Sequence, residues 1–426
     1  MTKAKQLKNG MRFHLVPFDG TEAVTVLVLI DVGSRYESSK VLGASHVIEH
    51  MMFKGTEKRP TNLDISKELD RYGAQFNAYT GKDITGYYVK IASDKAPIAI
   101  DLLHDMLFNS KFEAKDLKRE KKVIVEEIKM YEENPIMHIK DLIEETMFEG
   151  TSLGLNIAGT TDTVLNMRRA DILKYKEDNY QVERMVVVLA GAVPKNTKAL
   201  LEKSFGKVEA DKRDAVAYET ISDRFETEGL KLKSQYKPLK QIQLALGFPT
   251  FGREHKDAPA LRILSMILGG TMSSRLFMEV REKKALCYYI GSQVSFYEDV
   301  GKFIIQAGLD ASRLDDAVKT VLKELRKIKK HGVTQEELRY TKDHIGGAMR
   351  LGLENSSARA EFYGRQELHR RSMKTPEERL EELNAVKRSD IKRVANQILD
   401  TKKLSVAGIG PYKKDKDLAK HFEGLL

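Results

Sequence analysis

The sequence predicts an α+β protein built from two structurally repeated domains, each a mixed or antiparallel sheet covered by helices. Three observations carry this prediction: a length of 426 residues, an ordered succession of short apolar strands and longer helices, and a second half that repeats the order of the first. A single hydrophobic core stops growing at ~250–300 residues, so a chain of this length divides. Hydrophobic residues at 41% and charged residues at 31%, with a mean hydropathy of −0.42, supply enough apolar surface for cores. They exclude a disordered chain and a membrane-embedded one.

The elements follow in order. Residues 11–17 and 25–31 are apolar stretches of strand length. Residues 43–56 have helical apolar spacing and end in Lys54, Gly55 and Thr56. Asp83 precedes a strand over 85–91, and a long charged helix over 115–134 stops at Pro135. Ala170, Asp171 and Ile172 open a helix that leads to a strand over 185–190. The same succession then returns, offset by 215 to 221 positions. Residues 242–248 answer 25–31, Gly269, Gly270 and Thr271 answer the first helix end, and Asp299 with 302–307 answers Asp83 with its strand. Leu338 answers Leu117, and Ser389, Asp390 and Ile391 lead to a strand over 404–408. The charged, turn-rich stretch 211–240, with Pro238 near its end, reads as a linker. The boundary is placed near residue 225, giving domains 1–225 and 226–426.

Composition narrows the function classes. One cysteine, Cys287, excludes an internal disulfide and a cysteine-based zinc cluster, which fits a reducing compartment, with cytoplasm expected. No apolar run approaches the ~18–20 residues of a membrane span, and the first residues lack a secretory apolar stretch. The net charge of +10 comes from basic residues interleaved with acids, as in 323–330, and no groove-reading motif accompanies it. The charge is read as solvated surface, with no nucleic-acid partner.

The chemistry concentrates in GASHVIEHMMFKGT, residues 43–56. His46 and His50, four apart on a helix, leave one face a turn apart and can chelate Zn²⁺. Glu49 lies close enough to reach a water in an open coordination position without filling it. This His-x-x-Glu-His order is inverted relative to the commoner zinc-peptidase motif. A third ligand must come from another element. The helix over 115–134 offers Glu120, Glu126 and Glu127. Glu120 and Glu127, two turns apart, share a face, so one can complete a His₂Glu set while the other stands by as a supporting acid or base.

With these motifs the chain resembles the pitrilysin-type zinc peptidases, family M16, and especially short bacterial members similar to the mitochondrial processing peptidase. Glu127 stands 77 positions after His50, the family's spacing. The resemblance spans essentially the whole chain. It implies His46, His50 and Glu127 as ligands of one zinc ion, Glu49 as general base and Glu120 as a supporting catalytic glutamate. DVGSRYES at 31–38 and FNAYTGKDITGYY at 76–88 also resemble the family, the latter covering an edge strand that receives extended peptide, with Asn77 and Ala78 as candidates for backbone contact. Residues 273–292 resemble a segment supplying an Arg and a Tyr seven apart, here Arg281 and Tyr288, to bind substrate and stabilise the developing oxyanion. Ala285 stands there in place of the usual glycine.

In the second half the zinc positions fall on Leu261, Leu264, Ser265, Thr341 and Ala348, which cannot hold zinc this way. The resemblance therefore implies one catalytic and one degenerate domain, together half of a clamshell. It also implies a homodimer or heterodimer with a second M16 chain, closed around a peptide or unfolded substrate. The alternative reading is a non-catalytic structural or regulatory subunit of a peptidase complex.

Overall fold

The structure, a computed structural model, describes residues 5–210, 217–221, 229–369 and 373–425. The first half runs β1 (Lys5–Gln6), β2 (Arg12–Pro17), β3 (Ala23–Ile30), α1 (Ala44–Met52), α2 (Asn62–Asp70), β4 (Gln75–Thr80), β5 (Thr85–Ala92), α3 (Ala96–Asn109), α4 (Ala114–Glu133), α5 (Pro135–Met147), α6 (Thr161–Asn166), α7 (Arg169–Asn179), β6 (Met185–Gly191) and α8 (Thr197–Lys203). The second runs β7 (Lys231–Tyr236), β8 (Gln241–Phe251), α9 (Ala258–Ser265), β9 (Cys287–Phe296), β10 (Val300–Asp310), α10 (Leu314–His331), α11 (Gln335–Gly352), α12 (Ser356–Leu368), α13 (Pro376–Ala385), α14 (Arg388–Ile398) and β11 (Ser405–Gly410). Among the described residues no helix is long and apolar enough to cross a membrane.

The strands form two sheets of matching topology, β1-β2-β6-β3-β5-β4 and β7-β11-β8-β10-β9. In both, the second-half partner occupies the same place: β7 answers β2, β11 answers β6, β8 answers β3, β10 answers β5 and β9 answers β4. Even the parallel pairing recurs, β2 with β6 and β7 with β11, while their inner neighbours pair antiparallel. The two repeated sheet-and-helix halves are thus present.

Continuous apolar strands are buried on both faces because helices cover both. Along β3, Val24, Val26, Val28 and Ile30 join the core beneath α1 and α3. The alternate residues Leu27 and Leu29 join Val186 and Val188 of β6 in a second core against Ala360 of α12. Gly364 lets α12 lie close on this face, since a Cβ there would sit 2.8 Å from Leu29 Cδ1. In the second sheet, Ile139, Leu142, Ile143 and Met147 of α5 pack with Ala245 of β8 and Ala407 of β11. Gly247 makes room for Met147.

These helices correct the division at residue 225. The compact units are Met1–Lys129, Leu155–Tyr218 and Met349–Thr375 on one side, and Met130–Gly154, Glu219–Ala348 and Pro376–Leu426 on the other. A linear cut misses the exchange because α5 and α12 each cover a sheet made by the opposite half of the sequence. The expected linker also contains a strand. Within 211–240, residues 211–216 and 222–228 lie outside the described residues, whereas Lys231–Tyr236 form β7, paired in register with β11. KLKSQY carries one aliphatic residue, so an edge strand stabilised by its ladder rather than by a core reads as a charged loop.

Candidate metal centre

The helix that bears the motif is α1, and its buried side holds Val47, Ile48, Met51 and Met52 against the first core. That packing turns His46 and His50 toward α4, their ring centroids 4.7 Å apart. On α4, buried Ile124, Val125 and Ile128 seat the helix so that Glu120 and Glu127 face the imidazoles. Glu127 Oε2 lies 3.7 Å from His46 Nε2 and 3.4 Å from His50 Nε2. One ligand atom from each of His46, His50 and Glu127 lies within 4.8 Å of the others, and among the described residues this is the one group of three such side chains.

Around this triangle stand three further contacts. Glu120 Oε2 lies 3.3 Å from His50 Nδ1, and Lys54 Nζ lies 2.9 Å from Glu120 Oε1. Glu120 at Nδ1 turns the ring so that His50 Nε2 faces Glu127, the usual second-sphere device for orienting a metal-binding imidazole. Glu49 accepts a hydrogen bond at Oε2 from Thr80 Oγ1, 2.5 Å away at the end of β4.

The electrostatics fit a divalent cation. Burial and the neighbouring His50 push His46 down to about 4. Burial opposes the charge on His50 too, but its contacts with Glu120 and Glu127 lift it to about 9. The triangle therefore holds one positive charge, the proton on His50, beside the carboxylates. Glu127 is held below the ordinary range by its contact with His50, against burial. Glu120 is held low despite burial by His50 and Lys54. A cation bound by the two Nε2 atoms and Glu127 would replace that proton with a larger charge, and the donors, two imidazoles and a carboxylate, are those zinc takes in open catalytic sites. Glu49 moves the other way, its pKa raised by burial against the Thr80 hydrogen bond.

Other expected residues lie elsewhere. Asn77 and Ala78 are on β4, the edge of the first sheet. Asn77 Oδ1 accepts from the amide of Ala78 at 2.9 Å, so a peptide seeking that amide must displace the side chain. Arg281 and Tyr288 belong to the second compact unit, side by side. The Arg281 guanidinium carbon is 4.6 Å from the centre of the Phe277 ring and 5.9 Å from that of Tyr288, and Tyr288 is 80% exposed on edge strand β9. Ala285, between them, has a φ of 48°, the left-handed conformation that glycine adopts without cost.

Sequence reasoning passed over Thr80, Lys54 and Glu37. Lys54 lies one turn beyond His50, a signal helical periodicity could have given. Thr80 had no such signal, because only folding brings the end of β4 to α1. Glu37 is buried, and its carboxylate accepts from the amides of Gly43 and Ser45 at 2.6 and 2.7 Å.

A doubled sheet-and-helix fold with an inverted His-x-x-Glu-His helix and a remote glutamate defines the M16 class of metallopeptidase architecture. The chain belongs to peptidase family M16: the insulinase (peptidase family M16) profile matches residues 15–161, and the profile described as the M16 inactive domain matches residues 166–345. It is 37% identical over 411 residues to the uncharacterized zinc protease YmxG of Bacillus subtilis (strain 168), covering 96% of this chain and 98% of that protein. It is 30% identical to a probable mitochondrial-processing peptidase subunit beta of Arabidopsis thaliana, covering 98% of this chain and 80% of the relative. The crystal structure of a protease from Helicobacter pylori superposes with a TM-score of 0.89 at 26% identity, covering 96% of this chain and 99% of that one.

Proposed function

We propose that this chain is a zinc-dependent endopeptidase that hydrolyses peptides or unfolded polypeptide segments, with Glu49 as general base. The observation that carries the reading is the convergence of His46, His50 and Glu127 within 4.8 Å, beside a glutamate whose pKa burial raises. A zinc ion held by these three groups supplies a Lewis acid for a carbonyl oxygen and brings the pKa of water toward ~7.

The remaining work belongs to the protein. Thr80 occupies Glu49 Oε2, leaving Oε1 to take the proton of the attacking water and return it to the departing amine. Glu120 orients the His50 ring and thereby its Nε2. Asn77 and Ala78 on edge β4 receive the substrate backbone as an added strand. Arg281 and Tyr288 bind the substrate backbone and donate to the oxygen that becomes negative, a role for which exposed Tyr288 is suited. A second M16 chain, identical or not, closes the chamber and restricts substrates to flexible segments. The likeness to a probable processing-peptidase subunit supports the partner reading.

The test is zinc quantification coupled to cleavage of a mixed peptide library read by mass. Zinc-loaded wild type cleaves, and Glu49→Gln keeps its zinc while turnover falls ~10²–10⁴-fold. Wild-type cleavage by zinc-loaded Glu49→Gln refutes the role of Glu49. A wild type that binds zinc and cleaves nothing, alone or with a second M16 chain, points to the non-catalytic subunit. Mixing Glu49 and Tyr288 variants asks whether Tyr288 serves its own chain or the partner's, since re-formed heterodimers regain activity in the second case.

A further inference from the structure

Glu37 lies outside the metal triangle, yet the structure ties it to the helix that carries most of the chemistry. A helix leaves its first amides unsatisfied, and the usual remedy is a Ser, Thr, Asp or Asn at the N-cap. Helices α2 and α6 follow that rule, capped by Thr61 and Thr160 with reciprocal hydrogen bonds. Helix α1 cannot. Its N-cap is Gly43, with a φ of 94°, and a Cβ there would lie 2.7 Å from the carbonyl oxygen of Ala158. A side chain at the N-cap is thus excluded by both backbone conformation and space.

The missing cap comes from Glu37, six residues earlier. Its Oε2 accepts from Gly43 N and its Oε1 from Ser45 N, so the two oxygens satisfy two amides at the start of the helix. The loop that carries it is fastened to the turn between β4 and β5. Ser34 and Arg35 donate their amides to the carbonyls of Gly81 and Lys82 at 3.1 and 2.8 Å. Gly33 permits the approach, because a Cβ would lie 2.2 Å from Gly81 O. The same hairpin holds α1 at a second point, through Thr80 and Glu49.

We propose that Glu37 is a positioning residue: it clamps the start of α1 to the β4–β5 hairpin, so that His46, Glu49 and His50 are held in register with both Glu127 and the substrate-receiving edge. This rests on the proposed peptidase reading for its substrate half; the metal half stands without it. A local cap would steady the helix against unfolding but would leave it free to shift relative to β4. A carboxylate borne by the hairpin-anchored loop fixes both.

The experiment compares wild type with Glu37→Gln and Glu37→Asp as full chains. Glutamine keeps the size but sets an amide N–H₂ against one backbone N–H; aspartate keeps both acceptors on a shorter arm. Glu37→Gln lowers kcat ~10²-fold, the loss that a small misplacement of a catalytic group produces, with KM within about threefold. Its zinc affinity, measured by chelator competition, falls ~10-fold, and Glu37→Asp recovers part of both. Wild-type kcat and zinc affinity in a folded Glu37→Gln overturn the proposal. So does a lowered melting temperature with kcat per folded molecule unchanged, which marks plain helix capping. Should zinc-loaded wild type cleave no peptide, the peptidase reading fails, and the zinc-affinity comparison still decides whether Glu37 positions the cluster.

Discussion

Helices α1 and α9 occupy equivalent places in the two units, and the difference between them shows what a metal centre displaces. On α9, Leu261, Leu264 and Ser265 stand where α1 has His46, Glu49 and His50. Leu261 and Leu264 are fully buried and Ser265 is nearly so. On α11, Thr341 is buried where α4 has Glu120. One architecture thus uses the same positions for apolar packing in one unit and for a cluster of titratable groups in the other. Burying ionisable groups costs free energy unless they are paired, and the first unit offsets that cost through Glu120, Lys54 and Thr80. The architecture is therefore held up by the sheets and by the covering helices α12 and α5, and the face of α1 turned toward α4 is left available for chemistry.

The sharpest way to break the comparison is to remove a ligand. Glu127→Gln should weaken zinc binding by more than the ~10–100-fold that second-sphere changes produce, with cleavage lost in step. Unaltered zinc stoichiometry and affinity, measured by metal analysis after dialysis, would remove Glu127 from the ligand set. Next comes the contrast in stability. Leu264→Ala in the second unit should cost ~2–5 kcal/mol, whereas Glu49→Ala at the equivalent place should cost little or stabilise, because it relieves a buried carboxyl. Thermal melts of the two variants give the answer, and equal losses would mean that Glu49 is part of the packing.

A pH titration of metal-free protein sharpens the contrast further. The His50 pKa is raised from 6.5 to about 9 in the folded chain. Its stabilising contribution is therefore complete below pH 6.5 and is lost as pH rises through about 9. The stability difference between wild type and His50→Gln, both stripped of metal, should close over that window. A gap that opens instead would rule out Glu120 and Glu127 as the partners of His50. The smallest expected effect is at Ala285, where glycine removes the left-handed strain. Ala285→Gly should gain about 0.5–1 kcal/mol in a denaturant titration, and a loss of stability would mean that the alanine methyl contributes packing that the backbone geometry does not reveal.

Much of this was legible in the sequence because periodicity reports local structure. The four-residue step from His46 to His50 and the seven-residue step from Glu120 to Glu127 each place two groups on one helix face. The apolar runs of β3 and β6 announce strands buried on both sides. The repeat showed itself through the ordered spacing of short landmarks. What stayed hidden depends on contacts distant in sequence. Thr80 meets Glu49 after a separation of 31 residues, and no periodicity within β4 announces it. The charged β7 looks like a loop because its stabilisation comes from the β11 ladder. Helices α5 and α12 carry no mark in their own residues of which sheet each will cover.

The placement of α12 has a consequence for biosynthesis. Until residues 356–368 have left the ribosome, Leu27, Leu29, Val186 and Val188 have no helix to shield them, although their strands were made long before. A nascent chain halted near residue 225 would expose this greasy plane and become a client for chaperones or a seed for aggregation. Expressing the first half by itself should accordingly give insoluble protein, and supplying residues 349–375 as a separate segment should restore only part of the solubility, because α5 still lacks the second sheet against which Ile139, Leu142, Ile143 and Met147 pack.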